Sequence, residues 1–242
     1  MQALTEGRLE FLDSVEHNFA NIEDVLHMET DTWNANDASF SDYGVMAARC
    51  GLFRVGLTTR IRLDRLSDNV ALDIAGGTNG AALQELMHER RIDTGIVTNL
   101  LDKRSDQTRA NSKLLHVDGD LIERETWQNM FSTVFEATNG VGLSLIMHRP
   151  CGTLQDFAPA VYAGSFALLL DWLRPGGVMF AQVPAALRDS PASLQDICQR
   201  IHERDDIEEV KTSKYIGFNY SALVIKAAQD TAQLPSTSRS HE

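Results

Sequence analysis

Two hydrophobic patterns divide the chain near residue 67. Before it, apolar residues recur at helical spacing. Leu9, Leu12, Val15, Phe19, Ile22 and Leu26 follow at intervals of three and four, which predicts an amphipathic helix over 5–28. A polar segment spans Thr30–Asp42, and a second helical stretch runs from about Tyr43 to Thr58. No strand pattern precedes Val70. After it, short apolar runs alternate with helical ones. Val70–Ile74, Thr94–Leu101, Leu114–Val117, Val141–Met147 and Val178–Val183 read as strands. Between them, Gly80–Arg90, Arg124–Asn139, Ala160–Leu173 after Pro159, and the stretch holding Leu194, Ile197 and Ile201 read as helices. In the Arg124–Asn139 helix, Trp127, Met130, Phe131, Val134 and Phe135 make the apolar stripe. RPGG at Arg174–Gly177 predicts a stop and a turn. Ile207–Tyr215 and Tyr220–Ala227, joined by a turn with Gly217, are expected to pair antiparallel.

Strands alternating with helices predict an α/β fold: a doubly wound, mostly parallel sheet with helices on both faces. Residues 1–66 form a helical preface, expected to fold as a lid over a core at 67–228. The polar residues 229–242 read as a tail. In such sheets ligands bind beyond the carboxyl ends of the strands. The rim then consists of Ala75–Gly80, Leu101–Lys103, Asp118–Leu121 and Met147–Gly152.

Composition changes the picture in two respects. The 242 residues carry a net charge of −12, which disfavours long nucleic acids as partners and favours a small molecule. Cys50, Cys151 and Cys198 are scattered, with no CxxC pair, as expected of reduced thiols and not of a disulfide frame or zinc site. The opening MQALTEGRLEF carries acids and lacks an apolar run, and no run approaches the roughly 20 residues of a membrane span. A cytoplasmic protein is expected, with a homodimer allowed.

The candidate chemistry begins at Ala71–Leu83, ALDIAGGTNGAAL. An apolar run ends in Asp73 and Ile74. Ala75, Gly76, Gly77, Thr78, Asn79 and Gly80 follow, then helix formers. One reading is a bare strand–turn–helix connection. The other is a loop that brings backbone N–H groups to a ligand. Asp73 separates ligand classes, because an acid there repels a pyrophosphate and suits a cationic group. It can also cap the loop's own amides, and the two roles can coexist.

The stretch LDIAGGTNG resembles motif I of the class I S-adenosylmethionine-dependent methyltransferases, especially the LDLAGGTG form of quinone-biosynthesis enzymes. VDGDL after the third strand and LLDWLRPGGVMF around the fifth extend the resemblance over roughly Val70–Ala228. It implies a Rossmann-like seven-stranded sheet with an antiparallel last strand, and S-adenosylmethionine as cofactor. Ala75 and Asn79 stand where the family has glycines. Asn tolerates the left-handed backbone better than most residues.

The resemblance also implies an acid at the end of the second strand, holding ribose hydroxyls. Asp102 is preferred over Asn99, because an ionised acceptor binds hydroxyls more strongly. The alternative for Asp102 is a solvated acid beside Lys103 and Arg104. Asp120 and Leu121 match the adenine position, with Asp120 as a helix cap the competing reading. Met147 and His148 end the fourth strand. His148 is either a general base for the acceptor or a hydrogen-bonded rim histidine. Arg149 could bind an acidic substrate, and Tyr43 resembles a tyrosine near the cofactor carboxylate. The [DN]PP[FYW] signature of amino methylation is absent. The expected activity is methyl transfer to an O, N or C of a small molecule. The alternatives are an RNA or protein methyltransferase, for which Arg54, Arg60, Arg62 and Arg65 offer a basic stripe, a non-methylating binding module, and an NAD-dependent dehydrogenase.

Overall fold

A computed structural model describes residues 4–13, 69–77, 79–100, 102, 104–148, 159–184, 193–214 and 220–228. In chain order the elements are β1 (Val70–Ile74), α1 (Ala81–His88), β2 (Thr94–Asn99), α2 (Asp106–Arg109), β3 (Leu114–Asp118), α3 (Arg124–Thr138), β4 (Leu143–His148), α4 (Pro159–Leu170), β5 (Leu173–Pro184), α5 (Leu194–His202), β6 (Ile207–Lys214) and β7 (Tyr220–Ala227). They build one seven-stranded sheet in the order β3-β2-β1-β4-β5-β7-β6. The first five strands run parallel, and β7 is antiparallel to both β5 and β6. No helix among the described residues is long and apolar enough to cross a membrane.

Register decides which side chains share a face. Leu72 stands opposite Ile96 and Ile146, and Ile74 opposite Thr98 and His148. Successive residues of a strand point to opposite sides. One face therefore carries Leu72, Ile74, Ile96, Val117, Ile146, Met179 and Ala181, which pack with Trp127, Met130 and Val134 of α3 and with Tyr162, Phe166 and Leu169 of α4. Trp127 and Trp172 are fully buried with ring centroids 6.3 Å apart. Burying one such large side chain stabilises by about 1.5–3 kcal/mol. The opposite face carries Ala71, Asp73, Gly95, Val97, Asn99 and Met147. There α1 lies close: a Cβ on Gly95 would stand 3.1 Å from side-chain atoms of both Leu83 and Leu114.

The expected helix over 5–28 begins differently. Glu6–Leu12 is a 3₁₀ helix, with Leu9 and Leu12 buried. Phe11 meets Trp127 edge-on at 5.6 Å, and Arg124 pairs with Glu6 and Asp13. The remainder of that helix, the helix over 43–58, the lid they would form and the tail lie outside the described residues.

RPGG does not stop the chain before β5. It belongs to the strand as a bulge: Leu173 pairs with Leu143 and Val178 with Leu145, so Arg174–Gly177 stand opposite Ser144 alone. Gly176 takes φ 74°, and a Cβ on Gly177 would stand 2.7 Å from the Leu143 carbonyl oxygen. Glycines there let the extra residues loop out while pairing resumes on either side. The short α2 has no periodicity to reveal it. Ser105 caps it, its Oγ accepting from the Thr108 N–H at 3.2 Å.

Candidate functional site

From the central strand β1, the chain moves to β2 and β3 on one side and later returns to β4 on the other. Helices α1 and α3 lie on opposite faces, so their connections diverge at the carboxyl end of β1. Such a switch point opens a crevice in a doubly wound sheet. The loop Ala75–Gly80 leaves β1 at this point.

Its backbone is turned sharply. Ala75 (φ 56°), Gly77 (φ 90°) and Gly80 (φ 57°) all lie in the left-handed half. The Ala75 N–H donates to Thr98 Oγ1 at 3.1 Å, and the Gly80 N–H donates to the Gly77 carbonyl at 3.3 Å. Asp73 lies directly beneath: a Cβ on Gly76 would stand 2.4 Å from its Cγ. Only glycine admits this close approach. The Asp73 carboxylate is 0 % exposed, so it acts on the loop from below. Asn79 is held from two helices. Its carbonyl accepts from Gln84 Nε2 at 2.7 Å, and its Oδ1 accepts from Thr108 Oγ1 at 3.0 Å. Thr78 lies outside the described residues.

The two candidates after β2 have opposite surroundings. Asp102 receives Arg104 Nε at 2.8 Å, Arg104 Nη2 at 2.9 Å, the Arg104 N–H at 3.1 Å and Arg109 Nη1 at 2.5 Å. Hydrogen bonds from the Arg104 guanidinium hold its carboxyl well below the usual range. Both oxygens are already engaged. Asn99 instead ends β2, in register with Asp118, and is 4 % exposed. Its Oδ1 is buried and meets no donor among the described residues. An acceptor left so is costly unless a ligand or water supplies a donor.

Beyond β3, Asp120 Oδ1 accepts from the Ile122 N–H at 3.1 Å, and burial raises its pKa. Ile122 precedes α3, whose N-cap is Glu123, so Asp120 closes a local turn and does not cap that helix. The Leu121 carbonyl accepts from Trp127 Nε1 at 2.7 Å. Two residues that the sequence did not single out as ligands, His116 and the rim residue Asp118, join this corner. His116, in register with Val97, has both ring nitrogens buried without a partner among the described residues, and burial pushes its pKa down to about 4. Asp118 is exposed at the end of β3, and partial desolvation together with the neighbouring Asp102 charge raises its pKa. Their side-chain direction depends on register alone, which no local motif announces.

At β4 the register separates neighbours. Met147 shares the Asp73 face and is fully buried. His148 points to the other face, between β4 and α4. Its ring packs on Tyr162 and Phe166, each at 4.9 Å, and its Nε2 lies 3.0 Å from Ser165 Oγ. Burial pushes its pKa down to about 3, so the ring is neutral near pH 7. These are the surroundings of a packed, hydrogen-bonded histidine. Arg149 and Tyr43 lie outside the described residues.

No known family model and no curated protein matches the chain. Solved structures resemble it at low identity. Spermidine synthase from Thermotoga maritima is 13% identical, with 70% of this chain and 57% of that one covered and a TM-score of 0.41. The chain thus spans just over half of that protein. A Clostridium thermocellum protein assigned as an rRNA methylase is 12% identical, with coverages of 71% and 96% and a TM-score of 0.47. An O-methyltransferase family protein from Burkholderia thailandensis is 16% identical, with coverages of 92% and 72% and a TM-score of 0.45.

Proposed function

We propose that this chain is an S-adenosylmethionine-dependent methyltransferase acting on a small-molecule acceptor. The observation that carries the reading is the buried Asn99 Oδ1, which meets no donor among the described residues, beside a glycine loop at the switch point of the sheet. A nucleoside hydroxyl is a donor that such an acceptor lacks. The loop Ala75–Gly80 would hold the amino-acid end, Asn99 the ribose, and the Asp120–Leu121 turn the adenine. Asp102, saturated by Arg104 and Arg109, would brace the neighbouring loop and leave the ribose to Asn99. Asp73 supports a cationic ligand over a pyrophosphate, because a buried carboxylate beneath the loop favours positive charge above it.

When bound, S-adenosylmethionine supplies an electrophilic methyl carbon: the acceptor's lone pair forms the new bond as the carbon–sulfur pair passes to sulfur. The chain's own contribution would be orientation and exclusion of water. The neutral, enclosed His148 would position β4 against α4 and leave the acceptor's proton to another group. The net charge of −12 supports a small acceptor over a polyanion. The N-terminal third is proposed as a lid; its described part, Glu6–Leu12, docks on α3 and α4.

Calorimetric titration with S-adenosylmethionine, S-adenosylhomocysteine and NAD tests the cofactor. Binding of the first two and not of NAD is expected, and their failure to bind would sink the reading. Label transfer from methyl-labelled cofactor to metabolite pools or to RNA then tests the acceptor. Transfer to RNA would replace the acceptor class while keeping the cofactor.

A further inference from the structure

The glycine loop is tied to the next rim loop by a chain of hydroxyls. Thr108, 5 % exposed on α2, donates from Oγ1 to Asn79 Oδ1 at 3.0 Å. A hydroxyl has one hydrogen, so in the 2.9 Å contact between Thr108 Oγ1 and Ser105 Oγ the serine donates. Ser105 Oγ in turn accepts from the Thr108 N–H, which fixes the start of α2. Asn79 stands where the resembled motif has glycine, immediately before the left-handed Gly80. A side chain at that position needs a defined place, and Thr108 provides it. Gln84 fixes the same residue from the other side through its carbonyl.

We propose that Thr108 is a positioning residue: acting through Asn79, its hydroxyl sets the ligand-ready form of the glycine loop. This rests on reading that loop as the S-adenosylmethionine site. The hydroxyl removes the freedom of a non-glycine residue in a ligand-binding turn, so less ordering remains for the ligand to impose. The relay also explains why α2, a helix of one turn, is capped by a serine whose hydroxyl serves two partners.

The test titrates the wild-type chain, Thr108→Val, Thr108→Ser, Asn79→Ala and the Thr108→Val/Asn79→Ala double variant with S-adenosylhomocysteine, alongside thermal melts. Thr108→Val keeps the side-chain shape and the backbone cap but loses the relay. It is expected to weaken binding about three- to tenfold, the loss of one hydrogen bond. Thr108→Ser restores the hydroxyl and binds within about twofold of wild type. The double variant binds no more weakly than the weaker of the two single ones, because both cut the same link. Wild-type affinity in Thr108→Val, no rescue by serine, or losses that multiply in the double variant overturns the inference while the site reading stands. A wild-type chain that ignores S-adenosylhomocysteine overturns the site reading, and the inference with it.

Discussion

Replacing Gly80 with alanine combines two separable penalties at the point where the loop enters α1. Gly80 sits at φ 57°, ψ 43°, where a residue with a Cβ loses about 1–2 kcal/mol. The added Cβ would also stand 2.5 Å from Cγ2 of Val97, a fully buried residue of β2. Carbon atoms prefer about 3.5–4.0 Å, and overpacking of this kind costs about 1–3 kcal/mol. Gly80→Ala is therefore expected to destabilise by about 2–5 kcal/mol, out of the roughly 5–15 kcal/mol typical of a domain. Val97→Ala alone removes two methyl groups and leaves a small cavity, at about 2 kcal/mol. In the double variant the clash disappears while the backbone strain remains. Its cost should fall short of the sum by about 1–3 kcal/mol. Urea denaturation of the four chains, with m-values compared, measures each quantity. A Gly80→Ala cost below about 0.5 kcal/mol, or additivity within about 0.5 kcal/mol, refutes the reasoning.

Three further outcomes are expected. Asn99→Ala should weaken S-adenosylhomocysteine binding about three- to tenfold, while Asp102→Ala changes it less than about threefold; calorimetry showing the reverse order returns the ribose to Asp102. Burial pushes the His148 imidazole from its ordinary value of 6.5 down to about 3 in the fold. Between those values the unfolded chain binds a proton the native chain refuses, so stability falls as pH drops below about 6.5. His148→Gln should flatten that fall by up to about 1.4 kcal/mol per pH unit, and equal slopes in urea melts from about pH 7 to 5 would contradict the burial of a neutral ring. Gly164→Ala tests the N-terminal contact by sign. Helix propensity alone predicts a gain of about 1 kcal/mol, but the new Cβ would stand 2.4 Å from Phe11 Cβ and Cγ. A loss of about 1–3 kcal/mol is expected, turning to a gain in a Phe11→Gly background, which removes both clashing atoms; a gain in the wild-type background rejects the contact.

The amino-acid sequence alone was sufficient to locate the frame. Short apolar runs bounded by glycine, proline and polar residues marked β1, β3 and β7 to within a residue or so; for β1, buried on both faces, an apolar run is nearly obligatory. The same property hides what decides the site. Where both faces are apolar there is no alternation to read, so the direction of a side chain awaits the register. Register turns Asp73 and Met147 to one face and His148, next in the chain, to the other. Charge alone favoured Asp102 over Asn99 as the acceptor for ribose. In the fold Arg104 and Arg109 engage both Asp102 oxygens, while Asn99 Oδ1, at the end of β2, meets no donor among the described residues. RPGG carried an unambiguous turn signal, yet β4 pairs on both sides of it and makes it a bulge. Local chemistry thus determined where the chain bends and where it is buried. Which polar atoms are left unpaired depends on long-range pairing, and only the assembled sheet decided that.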